Sequence, residues 1–184
     1  METVVLASAS PRRAELLKAA GIAFEVVVAD IDERVLPGED AETYACRVAE
    51  AKARAVRSKV HGRPVLAADT VVVVDGQILG KPVDAADAAR MLRVLSGREH
   101  EVLTAVSFGP NTVVARTVVE FEPLTRAEIE WYVASGEPMD KAGAYGIQGL
   151  ASRFISRIEG SYTNVVGLPV ALVYALLKGY SQRI

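Results

Sequence analysis

Hydrophobic positions along this chain switch between two rhythms, and the switches mark its elements. Val4–Ala7 is a short unbroken apolar run and predicts a buried strand. Ser10 stands where an N-cap belongs and Pro11 where a first helical residue belongs, so Arg12–Ala20 predicts a helix, closed by Gly21. The β-branched, apolar centre of Ile22–Val28 predicts a second strand. Ala29–Asp40 carries five acidic residues, one arginine, Pro37 and Gly38, and reads as a loop. Tyr44, Val48, Ala51, Ala55 and Val56 then recur at helical spacing, so a long helix is expected from Ala41 to Lys59. His61-Gly62-Arg63-Pro64 breaks it.

The second half reads the same way. Val65–Val74 is a strand, and Asp75-Gly76 is a hairpin-turn signal leading into Gln77–Leu79. After the loop Gly80-Lys81-Pro82, Asp84 caps a helix that reaches Leu95, with Ala88, Met91, Leu92 and Leu95 on one face. Two strands, His100–Phe108 and Val113–Phe121, flank the turn Gly109-Pro110-Asn111. Thr125 and Glu128 form a capping box for a helix through Ala134, which Gly136 terminates. Asp140–Gly149 reads as a glycine-rich loop, Phe154–Ile158 as a short element whose type the pattern leaves open, and Pro169–Leu177 as a last helix. Strands mixed with helices and an antiparallel hairpin imply an α/β protein with a mixed, twisted central sheet flanked by helices. Two lobes around a cleft fit this order, with a crossing expected near residues 82–125, although composition marks no boundary.

Composition narrows the classes. The chain has 184 residues, of which 51% are hydrophobic and 24% charged, enough for a sizeable core and against wholesale disorder. A net charge of −2 argues against coating a nucleic-acid polymer, which calls for a basic surplus. A small anionic ligand needs only a few local cations and is not excluded. The single cysteine, Cys46, permits no intramolecular disulfide and fits a reducing cytoplasm. The N-terminal residues do not read as a signal peptide, and no apolar run is long enough to suggest a membrane span.

Several positions carry possible chemistry. In Ser8-Ala9-Ser10-Pro11-Arg12-Arg13 the first helical turn holds two arginines, where acidic side chains are normally favoured. A bound anion would relieve that conflict and use the free backbone N–H groups; pairing with Glu15 or with the acidic loop is the ordinary alternative. Asp69 interrupts an apolar strand, so it is expected to be paired, metal-bound or facing a cleft, and Thr70 is expected on the opposite face. Lys52, in the long helix, and Lys81, in its rigid loop, are either phosphate ligands or ordinary solvated cations. Asp32 and Glu33 suit a hard cation. The stretch Asp140–Gly149 would let a ligand approach its backbone closely, with Gln148 suited to reading a base edge; a tight turn needing positive φ is the alternative.

The same segments resemble the Maf (septum formation inhibitor) family over essentially the whole chain, 1–184, taken as a single domain. The motifs are Leu6-Ala7-Ser8-Ala9-Ser10-Pro11-Arg12-Arg13, Ala68-Asp69-Thr70-Val71, Gly80-Lys81-Pro82, Met91-Leu92 leading to Leu95-Ser96-Gly97 and His100, Asp140–Gly149, and Gly160-Ser161-Tyr162-Thr163-Asn164-Val165-Val166-Gly167-Leu168-Pro169. Six motifs in order make a chance match very improbable. The resemblance implies a cytoplasmic enzyme, similar in architecture to the inosine triphosphate pyrophosphatases. Such an enzyme cleaves a nucleoside triphosphate to the monophosphate and pyrophosphate with a divalent cation, Mg²⁺ or Mn²⁺. The Asp-Thr pair and Gly-Ile-Gln-Gly look like the branch that prefers dTTP and UTP rather than the one that takes 7-methyl-GTP. On this comparison Arg12, Thr70 and Gln148 set base specificity and Asp69 is the proton acceptor. Glu33 and Asp69 are the candidate metal ligands. Arg13, Lys52 and Lys81 neutralise the triphosphate, helped by Ser8 and Ser10. A homodimer is a further expectation. A nucleotide-binding regulator of cell division with little catalysis and a broad-specificity hydrolase are the rival readings.

Overall fold

The computed structural model describes residues 3–181. Seven strands form one mixed sheet: β1 (Val4–Leu6), β2 (Phe24–Val26), β3 (Val65–Val74), β4 (Gln77–Leu79), β5 (Glu99–Phe108), β6 (Asn111–Phe121) and β7 (Ile155–Glu159). Their order is β2-β1-β3-β5-β6-β7, with β4 paired to β3. The β1 strand is parallel to both β2 and β3, whereas β3/β4 and β6/β7 are antiparallel. The helices are α1 (Pro11–Ala19), α2 (Ala41–Arg57), α3 (Ala85–Leu95), α4 (Arg126–Ala134), α5 (Tyr162–Val166) and α6 (Val170–Ser181).

The chain divides into two compact units, one of residues 3–70, 104–115 and 167–181, the other of residues 71–103 and 116–166. The chain passes between them inside β3, β5 and β6, the last two passages falling within the expected region near residues 82–125, and once more between α5 and α6. Three of the four passages thus lie in regular strands, which is why no Pro-, Gly- or Ser-rich linker marks them.

In the first unit, β1 and β3 obey the two-residue period of a strand buried on both faces. Val4, Leu6, Leu66 and Ala68 pack with Leu17 of α1, Val106 and Phe108 of β5, and Val173 and Leu177 of α6. The alternate residues Val5, Ala7, Val65 and Ala67 pack with Ala53 and Val56 of α2. Asp40 caps α2 by accepting a hydrogen bond from the Thr43 N–H at 2.9 Å.

The second unit has its own core, built from Ala88, Met91, Leu92 and Leu95 of α3, Ile129 and Tyr132 of α4, and inward residues of β3 to β6. The Asp84 cap and the Thr125/Glu128 capping box form as expected. His100 is buried here, with Nε2 at 2.7 Å from the Tyr145 hydroxyl; burial pushes its imidazole down to about 4, so it is neutral at pH 7. Leu92 is fully buried. Leu92→Ala is expected to cost about 2–5 kcal/mol, through lost burial and a residual cavity, read as a lower urea midpoint.

Several expectations shift. The second strand shortens to Phe24–Val26, α2 ends at Arg57, β6 begins at Asn111, and α6 continues to Ser181. The open element resolves as β7, and α5 is an unexpected five-residue helix. Single-turn 3₁₀ segments at Glu137–Asp140 and Ala142–Ala144 occupy the region before and within the glycine-rich loop. Ser10 takes the N-cap position of α1, but its side chain makes no capping bond.

Candidate active site

The alternation of β3 determines where its two polar residues go. Asp69 follows Val65 and Ala67 onto the face covered by α2, and Thr70 follows Leu66 and Ala68 onto the face shared with α1. Each meets a cation there. On α2, Lys52 lies on the buried stripe with Ala45, Val48, Ala49, Ala53 and Val56. On α1, Arg13 lies on the buried stripe one turn before Leu17.

The Lys52 ammonium sits between two carboxylates, 2.8 Å from Asp69 Oδ1 and 3.1 Å from Glu33 Oε2. Lys52 and Asp69 are 8% and 6% exposed, so each needs the other; an unpaired charge here would be costly. Glu33 reaches in from the acidic loop. That loop is tied to α2 by the Tyr44 hydroxyl, which donates to the Glu33 carbonyl at 2.8 Å, and by Arg47, which donates to Glu39 and to the Arg34 carbonyl. Asp32, paired by sequence reasoning with Glu33, instead forms a bidentate, exposed pair with Arg34. Burial raises the Asp69 carboxyl above its ordinary range, against the opposing pull of Lys52 and Arg13. Asp69 Oδ2 accepts no hydrogen bond from the described residues.

Arg13, 8% exposed, directs its guanidinium inward. Nε donates to the Gly167 carbonyl at 2.8 Å, one terminal nitrogen to Ser8 Oγ at 3.0 Å, and the other to Thr70 Oγ1 at 3.1 Å. Ser8 Oγ also accepts from the Ser10 N–H at 3.2 Å. Thr70 Oγ1 lies 2.9 Å from Thr104 Oγ1 and 3.3 Å from the Gly167 carbonyl. Arg13 therefore fixes Ser8, Thr70 and Gly167 with respect to one another. Its charge is felt by Asp69 and Glu33 through space. Arg12 is partly exposed on the same first turn, which contains no acidic residue.

Eight of the expected residues, Ser8, Ser10, Arg12, Arg13, Glu33, Lys52, Asp69 and Thr70, thus belong to the first unit. Lys81 and Gln148 belong to the second, where both side chains are exposed and make no hydrogen bond or ion pair among the described residues. Their loops are joined by a backbone bond from the Gly143 N–H to the Gly80 carbonyl at 3.0 Å. Sequence reasoning missed Thr104, Gly167 and Tyr44, whose roles arise only from long-range contacts.

Of the two readings of the glycines around Gln148, the tight turn needing positive φ holds at Gly143, and close contact with neighbouring side chains adds a second reason for them. A Cβ at Gly143 would meet Val72 Cγ2 at 2.8 Å, one at Gly146 would meet Lys141 Cε at 2.6 Å, and one at Gly149 would meet the Glu137 carboxylate at 2.4 Å. The close approach is made by the protein's own side chains. Gly143 additionally has a φ of 68°, which favours glycine.

No group of three or more His, Cys, Asp or Glu side chains able to hold a metal ion forms among the described residues. Asp69 and Glu33 match the one or two carboxylates that Mg²⁺ takes alongside water and substrate phosphate, and with Lys52 between Asp69 Oδ1 and Glu33 Oε2 it is their other oxygens that are open to it. A groove of about 600 Å³ along α2, lined by Asp40, Thr43, Cys46, Arg47, Glu50 and Arg54, contains none of the expected site residues. Among the described residues no helix is long and apolar enough to cross a membrane.

The fold is similar to that of the Staphylococcus aureus Ham1 protein, which superposes with a TM-score of 0.54, covering 97% of this chain and 100% of that one, at 17% identity. The Maf-like protein family model matches residues 3–180, and the chain belongs to that family. It is 56% identical over 183 residues to a protein of Anaeromyxobacter dehalogenans named dTTP/UTP pyrophosphatase, covering 95% of this chain and 92% of the relative. A Symbiobacterium thermophilum protein with the same name is 50% identical over 188 residues, covering 100% and 97%.

Proposed function

We propose that this protein is a nucleoside triphosphate pyrophosphatase that hydrolyses dTTP and UTP to the monophosphate and pyrophosphate. The observation that carries the chemistry is the buried Asp69 carboxylate, held by Lys52 at 2.8 Å, with its other oxygen uncommitted. The substrate class is supported by the names of relatives at 50–56% identity over nearly their full lengths. A cytoplasmic homodimer is part of this reading, carried by the resemblance alone.

The side chains divide the work. Asp69 takes a proton from the attacking water; a carboxylate whose pKa is raised by burial is a better base near neutrality than an exposed one. Lys52 holds that carboxylate in place and offers positive charge to the triphosphate. The water oxygen attacks the α-phosphorus, the bond to the bridging oxygen breaks, and pyrophosphate departs with that oxygen. Arg12, partly exposed, and Lys81, exposed, meet phosphate or base, and the N–H groups at the start of α1 add dipolar support. Arg13 acts mainly by fixing Thr70 and Ser8, with its charge reaching the phosphates through space. Thr70, Arg12 and Gln148 read the base.

The charges of Arg13, Lys52, Asp69 and Glu33 cancel, so this cluster alone does not neutralise a polyphosphate. A divalent cation held by Glu33 and Asp69 would supply the missing charge and lower the pKa of a bound water.

The test is pyrophosphate release over a panel of nucleoside triphosphates with Mg²⁺ or Mn²⁺. A peak at dTTP and UTP, abolished by chelator, is expected. A flat profile would favour a general hydrolase, and no turnover of any triphosphate would favour a nucleotide-binding regulator of division.

A further inference from the structure

The turn that carries Gln148 is held from outside by a chain of hydrogen bonds to which no role has yet been given. Gly149 N–H donates to the Gly146 carbonyl at 3.1 Å, which makes Gly146–Gly149 a tight turn with Ile147 and Gln148 at its corners. Ile147 is buried and Gln148 exposed, so the turn is anchored through one corner and presents the other. Both ends of the turn are tied to the same two side chains. At the leading end, the Gly146 N–H donates to the Tyr132 hydroxyl at 3.2 Å. At the trailing end, the Leu150 N–H donates to Glu137 Oε2 at 2.9 Å. The Tyr132 hydroxyl closes the circuit by donating to Glu137 Oε1 at 2.9 Å.

Glu137 is itself held. Lys141 Nζ donates to the Glu137 carbonyl at 2.7 Å and to Asp140 Oδ1 at 2.7 Å. Tyr132 is fully buried in α4, and burial together with its bond to Glu137 raises its phenol well above the usual range, so it stays a donor throughout the working pH range. Tyr145, just before the turn, is pinned by His100. The absence of side chains at Gly146 and Gly149 is what lets Lys141 and Glu137 come this close. The Gly-Ile-Gln-Gly sequence is therefore fitted to this bracket at both of its glycines.

A solitary exposed glutamine on a free turn would select a base poorly, because ordering the turn would be charged against each binding event. The bracket removes that cost beforehand. We propose that Tyr132 and Glu137 are positioning residues for pyrimidine recognition, holding the Gly146–Gly149 turn so that Gln148 meets the base in a fixed orientation. This rests on the reading of Gln148 as a base contact.

The experiment is steady-state kinetics with dTTP and UTP on Tyr132→Phe, Glu137→Gln and Glu137→Leu, alone and combined with Gln148→Ala, with amide hydrogen exchange on the same proteins. Tyr132→Phe and Glu137→Leu are expected to raise KM by roughly five- to tenfold with kcat within about twofold, since a misoriented contact weakens binding ahead of chemistry. Glu137→Gln is expected to raise KM by less than Glu137→Leu, because its single amide oxygen still accepts from Leu150 while its NH₂ cannot accept the Tyr132 proton. In the Gln148→Ala background, Tyr132→Phe should add nothing further to KM. The Gly146 and Leu150 amides should exchange faster in Tyr132→Phe and Glu137→Leu. A KM that rises in Gln148→Ala but not in Tyr132→Phe overturns the bracket while leaving the base contact standing. A KM unchanged in Gln148→Ala overturns the base contact itself, and the proposal with it. Parallel losses of kcat and thermal stability without a KM change would reduce the bracket to a structural role and likewise overturn it.

Discussion

Asp69→Asn is expected to slow pyrophosphate release from dTTP by about 10²–10⁴-fold, the range that a positioned general base supplies. Nucleotide affinity should survive. Asparagine has the shape of aspartate and keeps an oxygen facing Lys52, and Lys52 retains its second partner, Glu33. The pH dependence carries a further signature. In the wild type, burial raises the Asp69 carboxyl, so the base becomes protonated, and the rate falls, at a higher pH than an ordinary carboxylate would give. The residual rate of Asp69→Asn should lack that acid limb. The measurement is kcat and KM against pH, with nucleotide binding followed separately by calorimetry. Hydrolysis of dTTP at the normal rate would falsify the assignment of Asp69.

Lys52→Met is expected to lose both activity and stability. Methionine keeps most of the apolar stem packed among the alanines of α2 but removes the only charged partner, among the described residues, that hydrogen-bonds to a carboxylate 6% exposed. Breaking one side of a buried pair typically costs about 3–5 kcal/mol, because the survivor is left charged and desolvated. The sign of the pH effect follows from the direction of the Asp69 shift. Its folded-state pKa is raised already, and loss of Lys52 raises it further, since Lys52 is the largest influence pulling it down. Between the unfolded and folded values the native state binds more protons than the unfolded chain, so stability declines as pH rises through that window. The variant should thus be more stable near pH 5 than near pH 8, and the gap should exceed that of the wild type. Urea unfolding at the two pH values measures it. Equal midpoints at both, or a difference no larger than in the wild type, would show that the carboxylate is not left stranded.

The parts of the fold legible in the sequence were those written in local periodicity and capping. The alternation in Val65–Val74, the Asp84 cap, the Thr125/Glu128 capping box and the Asp75-Gly76 hairpin all form where local chemistry puts them. The same periodicity held more about the site than either lysine or arginine did in isolation. Lys52 and Arg13 lie on the buried stripes of their helices, and a cation on such a stripe must find an anion or an acceptor. What local reading could not supply was the identity of the partner. Arg13 bonds to Gly167 across 154 positions and to Thr70 across 57, and its commitment to them, rather than outward to a ligand, is a property of the tertiary fold. Tyr44 and Thr104 escaped notice for the same reason. The glycines near Gln148 show the converse. Their small size was legible, but the neighbours that require it, Val72, Lys141 and Glu137, were not. The helix Tyr162–Val166 is too short to leave a periodic trace.

Asp69 and Thr70 are consecutive residues with different partners, and the pleat of a single strand keeps them apart. One inserted or deleted residue between Val65 and Asp69 would turn the carboxylate toward the guanidinium and the hydroxyl toward the ammonium, with every hydrophobic neighbour turned along with them. On the proposed roles, catalysis and recognition would fail in the same stroke. The spacing of this segment is therefore under as much constraint as its chemistry, and evolution can retune either residue by substitution but not by altering the segment's length.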